Sequence, residues 1–172
     1  MNIIIMGPVG SGKSTQAKIL SEKLSVPFID TGDIYRELIG SNSELGQKIK
    51  EIVASGNLVD DEITFSIISS ELKKHPDGFV IDGFPRTLTQ AERELFHVDK
   101  VIYLRLTDEI ARNRLALRHR VDDQDEIVTN RLNVYHKATE PILDYYRNKG
   151  LLVEIDGSQT IEKIAEDIDK IL

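Results

Sequence analysis

The chain has 172 residues, a formal net charge of −7, 40% hydrophobic and 30% charged residues, and no cysteine. That length suits one domain with a real core, the composition excludes a disordered chain, and the missing thiols exclude disulfides and cysteine-ligated zinc. The acidic balance argues against nonspecific nucleic-acid binding, and no apolar run reaches the roughly 18–20 residues that cross a bilayer.

The first element is "NIIIM" (2–6), a continuous apolar run that predicts a strand buried on both faces. Little leader precedes it and no cleavable signal pattern is seen, so a cytoplasmic protein is expected. Gly7 to Ser14 then fits G-x-x-x-x-G-K-[ST] in full. Gly10 and Gly12 let the backbone wrap a phosphate with its N–H groups pointing inward. A helix opening near Lys13 adds the partial positive charge of its N-terminus. Lys13 can reach the outer phosphates of a nucleoside triphosphate, and the Ser14 hydroxyl can ligate Mg²⁺. Residues Gly10, Ser11, Gly12, Lys13, Ser14 and Thr15 are therefore the expected nucleoside-triphosphate-binding loop.

The helix after the loop places Ala17, Ile19, Leu20 and Leu24 roughly on one side. A second short strand is read at "PFID" (27–30), followed by helical patterns at Leu45, Ile49, Ile52, Val53 and at Ile63, Ile67, Ile68, Leu72. Ser43 can cap the first of these, and Asp60-Asp61-Glu62 puts negative charge at the start of the second. Gly56 and Gly150 are candidate helix stops, and Pro141 starts or kinks a helix in "ATEPILDYY". Further strands are read at "DGFVID" (77–82), "KVIYLRL" (100–106) and "LLVEID" (151–156). The last helix carries Ile161, Ile164, Ala165, Ile168 and Ile171 at three- and four-residue steps. The expected fold is α/β, a P-loop NTPase-type three-layer sandwich with a five-stranded parallel sheet and helices on both faces. The extra helices between strands two and three read as a small insert.

Ligands of such sheets sit at the carboxyl ends of the strands. Arg36, one helical turn past a strand end, and Arg86, held by Pro85 after another, converge there on a second phosphate, the acceptor's. Asp82 ends an apolar strand and suits Mg²⁺ directly or through water; Asp33 is a weaker candidate for the same duty. Six of the ten arginines (Arg105, Arg112, Arg114, Arg118, Arg120, Arg131) fall between Val101 and His136, where there is no lysine. Arginine's planar fork suits bidentate phosphate contacts. No N-K-x-D motif of a GTPase and no ABC-type signature is present.

Five segments in order resemble the adenylate kinase family of nucleoside monophosphate kinases: "GPVGSGKSTQA", "DTGDIYREL" (30–38), "SGNLVDDEI" (55–63), "VIDGFPRTLTQAE" (80–92) and the stretch 114–146. The resemblance implies transfer of the γ-phosphoryl of MgATP to AMP, giving two ADP. It implies that Gln90 reads the adenine edge of AMP, with Thr31, Leu58, Val59 and Gly83 completing the acceptor pocket beside Arg36 and Arg86. It implies that Arg118, Arg120 and Arg131 close over the transferring group, Arg118 toward ATP and the other two toward AMP, and that Arg114 packs on the donor adenine. Asp122 and Asp123 match a pair that follows the lid. Arg112 has no counterpart in this logic and is expected to be solvated, and His119 to be a spacer.

The division implied is one domain, with core 1–30, 60–117 and 124–172, acceptor-binding insert about 31–59 and minimal lid about 118–123. The chain departs from the family pattern at Val9, in place of proline, at Ser14, in place of glycine, and most at the lid. There only His119 separates Arg118 from Arg120. So short a lid is expected to seal the site poorly and let ATP hydrolyse without acceptor. A monomer acting on ATP and AMP, with no nucleic-acid or membrane partner, is expected. A UMP/CMP kinase, an adenylate-kinase-like ATPase serving as an assembly or regulatory factor, and a nucleotide sensor without turnover stay open as alternatives.

Overall fold

A computed structural model describes residues 1–117 and 124–172. Its sheet contains β1 (Asn2–Met6), β2 (Phe28–Asp30), β3 (Phe79–Asp82), β4 (Lys100–Arg105) and β5 (Leu152–Asp156). All pairings are parallel, in the order β2-β3-β1-β4-β5, with β1 at the centre. Each strand read from the sequence is present, β1 with the bounds expected and the other four trimmed by a residue or two at one end.

Successive side chains of a strand face opposite ways, and this splits the apolar runs between two cores. Ile4, Met6, Phe79, Ile81, Val101 and Tyr103 face one layer, with Phe65, Ile68, Ile142 and Tyr146. Ile3, Ile5, Val80, Ile102 and Leu104 face the other, with Ala17, Leu20, Ile164 and Ile168. The first layer is built from α4 (Asp61–Leu72), α5 (Leu88–Glu92) and α8 (Pro141–Asn148); the second from α1 (Lys13–Leu24) and α9 (Ile161–Asp169). A strand with no polar face needs helices on both sides, which is the three-layer sandwich expected.

Two satellite cores flank the cleft end of the sheet. Helices α2 (Thr31–Gly40) and α3 (Glu44–Ala54) close around Tyr35, Ile49 and Val59. Gly46 lets them meet, since a Cβ there would lie 2.1 Å from the Leu38 carbonyl oxygen. Helices α6 (Asp108–Ala116) and α7 (Asp125–Val134) join through Ala111, Leu115, Val128 and Leu132.

The caps follow the sequence. Ser43 accepts from the Gly46 N–H and Asp60 from the Glu62 N–H, while Gly56 and Gly150 take positive φ just past their helices. Pro141 opens α8, and before it the chain widens into a π-helical turn, Tyr135–Thr139, closed by the Glu140 N–H on the Tyr135 carbonyl. A proline has no N–H to offer and its ring crowds the preceding turn, so the wider turn relieves the junction. Two apolar positions depart from expectation: Ile19 is 36% and Ile161 50% exposed. Ile19 stands about 200° around the helix from Ala17, away from the sheet, and Ile161 is the first residue of α9, where the helix has only begun.

Candidate active site

The cleft, about 390 Å³, opens at the carboxyl ends of β1 and β3, where the strand order turns about β1. One end of it is the loop from Gly7 into α1. Gly12 sits at φ 88° as the N-cap, with no side chain capping the first turn and open space where its Cβ would point. By contrast α2 to α6 and α9 are each capped by an Asp, Ser or Thr side chain. The uncapped N–H groups of α1 are thus left for an anion.

Lys13 folds back to donate to the Pro8 carbonyl oxygen at 2.8 Å. Burial pulls its ammonium down to about 8 against the attraction of Asp82 and Asp30, and the positive charges of Arg86 and Arg131 push the same way as burial. The Ser14 hydroxyl donates to Asp82 Oδ2 at 2.6 Å, and Asp82, 4% exposed, closes β3 beside Asp30 at the end of β2. Burial, then the neighbouring Asp82 carboxylate, raises the pKa of Asp30. Asp30 was not singled out from the sequence, although it ends a strand just as Asp82 does. Thr15 lies on the exposed side of the loop and lines the cleft, whereas Ser11 is buried, its hydroxyl without a partner among the described residues.

The other end is made of side chains from separate elements. Arg36, Leu58, Val59, Gly83, Arg86, Gln90 and Arg131 all line the same cleft, as expected. Arg86 is fixed on three sides: its Nε donates to the Gly83 carbonyl at 2.8 Å, its N–H donates to Gln90 Oε1 at 2.7 Å, and its carbonyl accepts from the Thr139 hydroxyl at 2.8 Å. Gln90 is 3% exposed, and its Nε2 donates to Asp61 Oδ1 at 2.8 Å. Thr31 is buried next to Gly83, with its hydroxyl unpartnered among the described residues.

Two expectations change, and Arg114 has partners that the sequence did not show. Asp33 does not join Ser14 and Asp82: its side chain is 70% exposed and receives the Arg36 Nε–H at 3.0 Å, the nearest cation having drawn it away. Arg112 is not a solvated charge; it bridges α6 to α7 through Asp125 (3.0 Å) and the Thr129 hydroxyl (2.9 Å). Arg114 lines the cleft, yet its N–H groups hold the loop after β5, at the carbonyls of Gly157 (2.8 Å) and Ser158 (3.1 Å). Arg118, His119, Arg120, Asp122 and Asp123, the expected lid and its acidic pair, lie outside the described residues.

The family pattern described as "Adenylate kinase" matches residues 5–151. An adenylate kinase of Archaeoglobus fulgidus is 38% identical over 213 residues, covering 100% of this chain and 98% of its own length. One of a Cyanothece species is 41% identical over 183 residues, covering 99% and 94%, and one of Methanothrix thermoacetophila 38% identical over 212, covering 100% and 98%. The two longer alignments exceed this chain's 172 residues, so those relatives carry residues it lacks.

Proposed function

The chain belongs to the adenylate kinase family, and from that premise we propose how its residues divide the transfer of the ATP γ-phosphoryl group to AMP. The carrying observation is one cleft with two cationic ends: the uncapped α1 N-terminus with Lys13, and Arg36 with Arg86.

Donor phosphates lie over Gly10–Thr15, held by backbone N–H groups and by Lys13, which leaves the Pro8 carbonyl to reach them. Arg114 meets the donor base with its guanidinium plane, its N–H groups being occupied by the loop after β5. AMP binds with its phosphate on Arg36 and Arg86 and its base against Leu58, Val59 and Gln90, and with Thr31 and Gly83 supporting that wall. Arg131, together with Arg118 and Arg120 from the lid, closes over the group in flight.

An AMP phosphate oxygen is already ionised near neutrality, since such groups titrate at about pH 6. No general base is required, and no residue is assigned as one. The residues act by holding donor and acceptor in line and by cancelling the charge of the transition state.

ATP-dependent phosphoryl transfer calls for a divalent metal. The Ser14 hydroxyl against the Asp82 carboxylate, with the Asp30 carboxylate one strand away, is a set of hard oxygen donors that fits Mg²⁺. Ser14 would hold the ion directly and Asp82 through water, and the ion would neutralise phosphate charge there.

Residues 31–59 serve as the acceptor insert and 118–123 as a minimal lid on a monomeric, cytoplasmic enzyme. No helix among the described residues is long and apolar enough to cross a membrane.

The test is to incubate the pure protein with MgATP and each of AMP, GMP, CMP and UMP, with an acceptor-free control, and separate the products by anion exchange. AMP consumed one-for-one with ATP, giving two ADP, is the expected result. Consumption of CMP or UMP in its place overturns the assignment of Gln90. Phosphate release at the same rate with every acceptor and with none, with no AMP consumed, overturns the kinase. Slow hydrolysis in the control, altered in Arg118→Ala or Arg120→Ala, is the expected mark of the short lid; its absence alongside fast transfer rejects that idea.

A further inference from the structure

The Gln90 amide is held by two partners whose roles cannot be exchanged. A backbone N–H, that of Arg86, only donates, and it meets Oε1 at 2.7 Å. An ionised carboxylate, that of Asp61, only accepts, and it meets Nε2 at 2.8 Å. Rotating the amide by half a turn would set its NH₂ against an N–H and its oxygen against a carboxylate. Asp61 is itself steadied by the Thr87 hydroxyl, at 3.1 Å from both carboxylate oxygens. It is not the cap of α4, since Asp60 accepts from the Glu62 N–H at 2.9 Å. Three groups from two segments, the Arg86 N–H, the Thr87 hydroxyl and the Asp61 carboxylate, therefore fix the orientation of one amide that lines the cleft and is almost fully buried.

We propose that Asp61 is a positioning residue for acceptor choice: by locking the Gln90 amide it makes the pocket accept bases with an amino group beside a ring-nitrogen acceptor and reject those with a carbonyl beside a ring N–H. The proposal rests on the reading of Gln90 as part of the acceptor base site. With one lone pair and one N–H spent on the lock, Gln90 keeps one acceptor and one donor for the base. Adenine offers an amino donor next to a ring acceptor and satisfies both. Hypoxanthine and guanine offer a carbonyl next to a ring N–H, which would satisfy the flipped amide that the lock forbids. Buried polar groups left opposed in this way are how a site built on hydrogen bonds rejects a near-isostere. Cytosine has the amino pattern and uracil the oxo pattern, so the lock ranks the pyrimidines in the same sense.

The experiment measures kcat and KM for AMP and IMP, which differ only at that edge, in the wild-type protein and in Asp61→Asn and Asp61→Ser. Both replacements can donate as well as accept, so both free the amide to turn, and both residues are tolerated in the first turn of a helix. The expected result is a fall in the AMP:IMP ratio of kcat/KM by about tenfold or more, the worth of one hydrogen bond. It should come from the acceptor KM, with KM for ATP and kcat on AMP within about twofold of wild type, as loss of ground-state recognition requires. CMP and UMP should shift in the same sense as AMP and IMP.

In a Gln90→Ala background the Asp61 changes should move the ratio no further, because Asp61 acts only through the amide. An unchanged AMP:IMP ratio in either folded variant overturns the proposal. So does a parallel loss for AMP, IMP and ATP, or an equal effect in the Gln90→Ala background. Wild-type protein that does not phosphorylate AMP would instead fail the functional reading above, before the lock is tested.

Discussion

The two ends of the cleft are built on different principles. The end proposed for the donor is almost all backbone, one loop and the first turn of one helix, contiguous from Gly7 to Thr15, with Lys13 and Ser14 the side chains proposed to act there. The acceptor end is almost all side chain, gathered from α2, the 58–59 turn, the loop after β3, α5 and α7, and held by bonds between distant residues. Backbone N–H groups bind phosphate whatever is attached to it; choosing a base requires donors and acceptors in a set order. The general task is carried by a local device and the selective task by a distributed one.

If that contrast is right, damage at one end should leave binding at the other nearly intact. The largest effect is expected for Lys13→Ala, a loss in kcat of roughly 10³-fold with KM for AMP little changed, read from steady-state kinetics. An equal rise in KM for AMP would mean that the two ends are not separable. Next comes Arg36→Ala, expected to raise KM for AMP by about ten- to a hundredfold and to spare KM for ATP. Its guanidinium is already engaged by Asp33, with Asp30 3.8 Å away, so Asp33→Asn should change KM for AMP in the opposite direction or not at all.

Gly46→Ala tests the scaffold of the acceptor end alone. Its new Cβ would overlap the Leu38 carbonyl and force α2 away from α3, a strain of about 1–3 kcal/mol. A lowered urea midpoint together with a raised KM for AMP and an unchanged KM for ATP is expected; a raised KM for both substrates would contradict the division.

The smallest effect concerns the π-helical turn between α7 and α8. His136 bridges Glu140 and Asp108 at 2.8 and 3.0 Å, and its pKa is raised above the ordinary 6.5, first by the hydrogen bond to Glu140 and then by that to Asp108. A raised folded-state value means that the stabilisation is complete below the unfolded pKa and is lost as pH rises through the folded one. Because the pair is well exposed, the step should be slight. It should vanish from the pH dependence of thermal unfolding in His136→Gln, while turnover at a fixed pH below 6 stays near wild type.

What could be read in advance follows the same contrast. Alternation, the phosphate loop and the caps at Ser43, Asp60 and Gly150 are short-range features, and the structure keeps them. Within the arginine-rich stretch, the contacts of Arg112 and Arg114 are not legible from spacing. Arg112 ties two helices and Arg114 pins a loop, because their partners, Asp125 and Thr129 for one and Gly157 and Ser158 for the other, stand 13 to 44 positions away. Asp61 reads as an acid at a helix start until Gln90, 29 residues on, is seen to depend on it.

The sequence by itself determined the strands, the helix starts at Ser43 and Asp60 and the phosphate-loop motif of this protein, since those depend on side-chain period and on backbone bonds within a few residues. Tertiary structure alone decided which carboxylate meets the Ser14 hydroxyl and which meets an arginine, and which way one buried amide points. Asp82 reaches Ser14 across 68 residues while Asp33 turns to Arg36 three residues away. A charged side chain settles on the nearest partner that burial and geometry allow, and chain folding sets that distance, not sequence separation.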